Sequence, residues 1–224
     1  MTADPLPEVS GPDSGDIPLA DLRPRLVDAM LPNVPFDGWT AVARDAAADA
    51  AGIDRDIAAM ALPDAASMVD AYTARADAMM AEAMAAAGDM KVRDRIRMAL
   101  RTRLESADPE AVRRALTVLA QPQNAALSMR TLWRTADAMW RAAGDTATDF
   151  NHYFKRAILG GVYSACLLYW LDDNSEGHAA TWAFIDRRID GVMRFEKTKA
   201  KLTGMIGKLP DPARFLGRLR YPAV

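Results

Sequence analysis

The sequence predicts an all-α protein of about ten helices. The alternating apolar and polar residues of strands are absent, apolar residues recur every three or four positions, and the helix formers Ala, Met, Leu and Arg dominate. The chain has 224 residues, of which 50% are hydrophobic and 26% are charged. This composition is typical of a globular protein that is long enough to bury a sizeable core.

Capping residues and helix breakers predict where the first helices begin and end. Leu22 and Leu26 have helical spacing in the first helix, which ends near Pro32. Gly52 stands just past the second helix, and Asp54 caps the third. A turn is expected at residues 35–38. The predicted helices span residues 19–31, 39–51, 54–60, 63–87, 90–105, 108–120, 125–143, 150–171, 178–201 and 211–220.

The later elements follow the same rules. Asp108 is a good cap, and Pro109 suits the first position of the helix that follows. Residues 150–171 form a strongly apolar helix. We expect Gly204, Gly207 and Pro210 to loosen the chain before the short last helix.

The net charge of −2 is unevenly distributed along the chain. Residues 194–224 carry a net charge of +6, which leaves −8 for residues 1–193. Residues 1–21 contain five acids and no base. This asymmetry indicates a contact between the basic end and an anionic surface, either a membrane or a nucleic acid.

Four segments are expected from these patterns. Residues 1–18 are expected to be a disordered acidic leader, 19–62 a helix-turn-helix-like module, 63–202 a helical bundle, and 203–224 a linker with an amphipathic helix. The lone Cys166 excludes an internal disulfide, and the sequence shows neither a long apolar run nor a signal peptide. We expect a cytoplasmic protein that is peripherally associated with the inner membrane.

Residues 26–54, LVDAMLPNVPFDGWTAVARDAAADAAGID, resemble the N-terminal module of TetR-type repressors. The electrostatics of DNA binding are missing, because residues 40–70 hold two bases against six acids and phosphate contacts need Lys and Arg. The third helix offers only Arg55 and no Asn or Gln. We interpret the module as a packing unit that does not bind nucleic acid. A ligand-responsive regulator is the alternative.

Motifs for catalysis are absent from the sequence. The two histidines, His152 and His178, have no Glu or His at the spacing of a metal site, and there is no Gly-x-Ser-x-Gly or phosphate-binding loop. Cys166 lies in an apolar run and is expected to be a small buried hydrophobe. These observations argue against an enzyme, and no metal or cofactor is expected.

Thirteen methionines and a late cluster of tryptophans favour an irregular apolar interior. Trp133 and Trp140 are seven residues apart and therefore share a helix face. Such residues form either plain core or the wall of an elongated apolar cavity.

Residues 122–197 resemble the Coq-nine family, whose members are accessory proteins of ubiquinone biosynthesis. The most specific part is AGDTATDFN at residues 143–151 with the Tyr-x-x-Arg that follows; NVPFDGW at residues 33–39 also fits, and the resemblance covers roughly residues 19–202. It implies a TetR-like homodimer without DNA binding, a site for an isoprenoid quinone precursor or a phospholipid, and membrane association. It also implies partnership with the hydroxylase that acts on demethoxyubiquinone.

The resemblance and the apolar pattern together give the expected lipid-binding residues: Leu104, Leu119, Leu132, Trp133, Ala136, Trp140, Val162, Tyr163, Cys166, Leu167 and Trp170. The family's partner-binding patch carries over to Asp149, His152, Tyr153 and Arg156, which are spaced as one helical stripe. Many relatives have Trp in place of His152, and Trp is a stronger interface anchor. A solvated polar stripe is the alternative.

The basic tail is expected to be an amphipathic membrane-binding helix, in which apolar residues share one face and arginines flank it. Its residues are Arg214, Phe215, Leu216, Arg218, Leu219 and Arg220. Docking of this face on the body or on a dimer mate is the alternative. The helices at 150–171 and 178–201 are the expected dimer contact, with contributions from Ile185, Ile189 and Met193.

Overall fold

The computed structural model describes residues 17–88, 90–145 and 150–206, with side chains in the last range for 153–192 and 194. Within these ranges the chain forms ten α-helices and no strand, which confirms the all-α prediction. They are α1 Leu19–Met30, α2 Val34–Asp37, α3 Ala41–Ala51, α4 Arg55–Ala61, α5 Ala65–Ala85, α6 Val92–Glu105, α7 Pro109–Leu119, α8 Ala125–Ala142, α9 Phe150–Leu171 and α10 Ala179–Ile206.

Side-chain caps fix several of the helix starts. The Asp54 carboxylate accepts hydrogen bonds from the Asp56 and Ile57 amides, and Asp108 accepts one from the Ala111 amide at 2.7 Å. Asp64 and Ser67 form a reciprocal capping box at the start of α5. These contacts satisfy amides that have no partner inside the helix, which is why the sequence signals located the starts to within about two residues.

Two predicted boundaries were wrong. The turn expected at residues 35–38 is the short helix α2, closed by Gly38 in a left-handed conformation at φ 72°. The helix expected to end at residue 201 continues to Ile206, through Gly204. A single glycine costs a helix only about 1 kcal/mol relative to Ala, so its neighbours can carry the helix past it. The predicted last helix at 211–220 lies outside the described residues.

The packing places α5 at the centre of the molecule. Helices α1, α3 and α4 form an N-terminal module that packs against α5 through α1. Helix α5 also packs against α6, α7 and α8. Helix α9 packs between α8 and α10, and α10 also contacts α6. Helix α9 is in contact with α6, α8 and α10. None of the helices in the described ranges has the length and apolar character needed to cross a membrane.

Candidate functional site

An apolar cleft of about 280 Å³ lies between α6, α9 and α10, at the end of α8. Its wall repeats apolar side chains at helical spacing on each helix. They are Val92 and Ile96 of α6, Ile158, Leu159 and Val162 of α9, and Ile189 and Val192 of α10. Trp140 of α8 closes one side. The volume is close to the lower bound of about 300 Å³ for small-molecule sites, and the wall suits an alkyl or prenyl chain.

Two basic side chains stand at the edges of this apolar cleft. Arg93 pairs with Asp190 across α6 and α10. Lys155 pairs with Asp145 at 2.8 Å and lies over the Trp140 ring, 5.2 Å from its centre. The polar groups therefore lie at the rim, and the interior of the cleft is lined by apolar side chains.

An open groove of about 440 Å³ continues from the cleft along α9 and α10. It shares Ile158, Val162 and Val192 with the cleft and adds Phe154, Gly191, Arg187 and Arg188. The two spaces together form an apolar path that ends beside two exposed arginines.

A second, smaller cavity of about 120 Å³ lies on the other side of α9, among α5, α6, α7 and α8. Leu116, Leu119, Leu132 and Leu167 form its apolar part. Its other side is polar and includes Tyr72 and Arg103.

The predicted lipid-binding residues are divided between these two spaces and the core. Trp140 and Val162 line the cleft, whereas Leu119, Leu132, Tyr163 and Leu167 line the smaller cavity. The remaining residues lie apart from both: Leu104, Ala136, Cys166 and Trp170 are buried, and Trp133 is 38% exposed. The structure therefore brings six of the eleven residues to a cavity wall.

Cys166 behaves as the sequence predicts, because its side chain is completely buried in the core. Burial raises the pKa of its thiol to about 11, although Arg188 acts in the opposite direction. The group is therefore a neutral thiol at physiological pH and not a nucleophile.

The four predicted partner-binding residues do not share one environment. Tyr153 is 61% exposed at the start of α9, and its ring centre lies 5.9 Å from that of Trp133. Arg156 is only 2% exposed and pairs with Asp137 at 2.6 Å and Asp145 at 3.2 Å. Asp149 and the His152 side chain lie outside what the structure describes. Arg156 links α9 to α8 through its ion pair with Asp137, whereas the Tyr153 side chain lies at the surface.

The same junction joins the predicted patch to the cleft. Trp140 of the cleft wall donates a hydrogen bond from Nε1 to the Lys155 carbonyl at 3.1 Å. Burial acts to raise the pKa of Asp145, but hydrogen bonds from Lys155 and Arg156 outweigh it and lower the pKa below its usual value. Asp145 therefore stays ionised and pairs with both Lys155, at the rim of the cleft, and Arg156.

The two arginines that the sequence places between residues 40 and 70 each have a partner inside the helix-turn-helix module. Arg44 is 8% exposed and donates to the Leu62 carbonyl at 3.2 Å. Arg55 pairs with Asp49, but its side chain remains 62% exposed. Arg44 is therefore part of the interior of the module, whereas Arg55 stays at its surface.

Another cavity, of about 740 Å³, lies between α1, α5 and α8, and its wall mixes small apolar residues with charged ones. Arg130 and Arg134 pair with Asp70 in its wall, and Arg75 pairs with Asp28. Within the described residues, no three His, Cys, Asp or Glu side chains come together to hold a metal ion.

The residues expected at a dimer contact need one correction. Ile185 and Ile189 are 1% and 6% exposed within a single chain, so they belong to the core and cannot also form a free surface. The side chain of Met193 and the membrane-binding residues at 214–220 lie outside the described residues.

The sequence interpretation missed most of the cleft wall, notably Ile96, Ile158, Leu159, Ile189 and Val192. The i, i+3 and i+4 spacing of apolar residues on α9 and α10 was a signal for it. That spacing does not tell a cavity wall from a filled core, because both need the same apolar stripe.

Comparison with known proteins places this architecture among relatives. Residues 125–196 match the COQ9 family model. The chain is 33% identical over 196 residues to the ubiquinone biosynthesis protein COQ9, mitochondrial, of Rattus norvegicus, and 31% identical to that of Homo sapiens. The matches cover 82% of this chain and 63% and 62% of those relatives, so the chain spans about three fifths of their length.

The fold also has a solved counterpart. A TetR transcriptional regulator from Nitrosomonas europaea superposes with a TM-score of 0.60 at 19% identity, covering 75% of this chain and 96% of that one. At this identity the likeness establishes the TetR-like fold alone. The family resemblance seen in the sequence is confirmed: the chain carries a COQ9 family region at residues 125–196 and is homologous to the COQ9 proteins over most of its length.

Proposed function

We propose that this protein is a non-catalytic accessory protein of ubiquinone biosynthesis. It binds an isoprenoid quinone intermediate at a membrane surface and presents it to a partner hydroxylase. The COQ9 relatives support the pathway, since they are named as ubiquinone biosynthesis proteins. The apolar cleft between α6, α9 and α10 supports the ligand class.

The observation that carries the proposal is the position of the cleft relative to Tyr153. The cleft wall reaches the first turns of α9 through Lys155 and Ile158, and the exposed Tyr153 lies on the same turns. A ligand whose chain fills the cleft is therefore held next to the surface on which a partner enzyme docks. An adaptor needs this proximity, because the enzyme must reach a lipid that is still bound.

Membrane attachment and dimerisation belong to the same proposal. The basic tail would hold the protein at an anionic inner-membrane surface, and the outer faces of α9 and α10 would meet a second copy. The exposed apolar residues Leu168 and Tyr169 on α9 favour this face.

A transcriptional regulator is the weaker alternative. The structural likeness to a TetR regulator concerns the fold, and fold does not imply function. Arg44 is buried and Arg55 is paired with Asp49, and residues 40–70 hold more acids than bases, which disfavours contact with a phosphate backbone.

Lipid extraction from the purified protein followed by mass spectrometry tests the proposal. We expect wild type to co-purify a prenylated ring compound. Val162→Phe, which fills the cleft, should retain several-fold less, because the added ring atoms occupy the space of the chain. Val42→Phe, the same change at a 65% exposed position of α3, is the matched control. Absence of any prenyl lipid from wild type, or equal retention by Val162→Phe, would contradict the proposal.

A further inference from the structure

The smaller cavity has a polar end whose chemistry differs from that of the cleft. Arg103 lines this end of the cavity and forms an ion pair at 3.1 Å with Asp77, which also lies 3.5 Å from Arg134 Nε. Arg103 and Asp77 are only 2% and 5% exposed. Thr135 donates its hydroxyl hydrogen to the same carboxylate at 3.0 Å. The Asp77 carboxylate is therefore both neutralised and hydrogen-bonded inside the protein.

Two other hydroxyls in this wall donate hydrogen bonds to backbone carbonyls of their own helices. Thr131 donates to the Ser128 carbonyl at 3.0 Å, and Thr73 donates to the Val69 carbonyl at 3.0 Å. Tyr72 is the exception: its side chain is 94% buried, lines the cavity, and its hydroxyl has no hydrogen-bond partner among the described residues. A buried hydroxyl without a partner is costly, so the position requires an explanation.

We propose that the smaller cavity is a binding site for one neutral, oxygen-bearing ring, whose oxygen accepts a hydrogen bond from the Tyr72 hydroxyl. The volume of about 120 Å³ suits a single ring, since a cavity of about 150 Å³ holds benzene. The apolar side formed by Leu116, Leu119 and Leu132 would cover the face and the hydrocarbon edge of that ring. That the natural ring is the head group of a quinone-pathway lipid rests on the proposed function.

Charge balance favours a neutral ring over an anion. The charges of Arg103 and Arg134 are already balanced by Asp77, which both arginines contact, and by Asp70, which pairs with Arg134, so an added carboxylate would be an unpaired charge in a buried site. Burial also raises the pKa of Tyr72 to about 12, and the hydroxyl therefore keeps its proton and acts as a donor.

The test uses two isosteric probes and the full chain. Acetophenone carries a carbonyl oxygen, whereas α-methylstyrene has a methylene group in its place. By titration calorimetry, wild type should bind acetophenone about threefold to tenfold more tightly than α-methylstyrene, which is the range that one hydrogen bond supplies. Tyr72→Phe should abolish this preference and leave the affinity for α-methylstyrene unchanged. Thr117→Val, which removes an exposed hydroxyl of α7, should behave as wild type. Equal affinities for the two probes in wild type, or a preserved preference in Tyr72→Phe, would overturn the proposal.

Two further measurements keep the result interpretable. Without ligand, Tyr72→Phe should unfold at a urea concentration no lower than wild type; a lower midpoint would show that the hydroxyl already has a partner and would overturn the site. Ala115→Leu, which fills the cavity, should abolish binding of both probes, and retained binding would also overturn it.

Failure of the ring site can be told apart from failure of the proposed function. If acetophenone shows no preference while wild type co-purifies a prenyl lipid, the ring site is wrong and the function stands. If the probes behave as expected and no prenyl lipid co-purifies, the ring site stands and the function is wrong.

Discussion

The Arg103–Asp77 ion pair affects both the stability of the folded protein and the shape of the smaller cavity. Both side chains are almost fully buried, and Thr135 completes the hydrogen bonding of the carboxylate. A buried ion pair adds little stability compared with apolar packing, but removing one partner leaves the other charge without compensation. The pair therefore fixes the polar end of the cavity and the contact of α5 with α6 and α8.

Asp77→Ala should lower the free energy of unfolding by about 3–5 kcal/mol, because Arg103 would remain buried without a counter-charge. Urea unfolding followed by circular dichroism measures the change. Asp190→Ala breaks the exposed pair with Arg93 and should cost less than about 1 kcal/mol. Equal losses in the two variants would be inconsistent with a buried charge pair at Asp77.

Cys166 gives a prediction about reactivity. With a thiol pKa of about 11, on the order of one molecule in a thousand carries the thiolate at pH 8. Iodoacetamide should therefore label the folded protein very slowly at pH 8 and rapidly in urea, as mass spectrometry would show. Fast labelling of the folded protein would mean that the thiol is accessible and ionised.

At the scale of elements, the junction of α8 and α9 connects the cleft to the predicted docking surface. Lys155 and Arg156 both reach back to Asp145, and Trp140 donates to the backbone of the same turn. The sequence pattern placed Tyr153 and Arg156 on one stripe by spacing alone. It could not show that Arg156 is buried, since burial depends on the tertiary contact with Asp137.

Two substitutions at this junction distinguish a side chain that contacts the partner from one that stabilises the fold. Tyr153→Ala should weaken binding to the demethoxyubiquinone hydroxylase about tenfold or more, because an exposed aromatic anchor is lost. It should lower the unfolding midpoint far less than Arg156→Ala, because the ring contact of Tyr153 with Trp133 lies at the surface. Arg156→Ala should lower the midpoint, because Asp137 and Asp145 lose a buried partner. Pull-down with the hydroxylase and urea unfolding provide the two readouts. Unchanged binding by Tyr153→Ala would remove this surface from the proposed interface.

The basic tail is the second element with a defined prediction. A chain ending before Pro210 loses Arg214, Arg218 and Arg220, each of which contributes about 1 kcal/mol at an anionic surface. Its binding to vesicles containing phosphatidylserine should fall more than tenfold in a flotation assay. Vesicles of phosphatidylcholine alone are the control, on which the two chains should differ far less. Equal binding of both chains to anionic vesicles would assign the tail to a contact within the protein.

At the scale of the whole molecule, local sequence signals were enough for the fold but not for the site. Caps such as Asp54, Asp64 and Asp108 act through neighbouring amides, so the helix starts could be predicted from short stretches. The cleft is lined jointly by α6, α8, α9 and α10, so it depends on packing between segments that are far apart in the sequence. Trp140 and Val162 were therefore expected at a lipid site, whereas Ile96 and Ile189 emerged only from the structure.

Quinone composition in a deletion strain tests the central claim most directly, namely that the cleft serves the hydroxylation of a bound quinone intermediate. Deletion of this protein in its own organism should raise the ratio of demethoxyubiquinone to ubiquinone. Wild type and Val42→Phe should restore the ratio, and Val162→Phe at matched expression should not. A ratio that deletion leaves unchanged, or that Val162→Phe restores as fully as wild type, would contradict the claim.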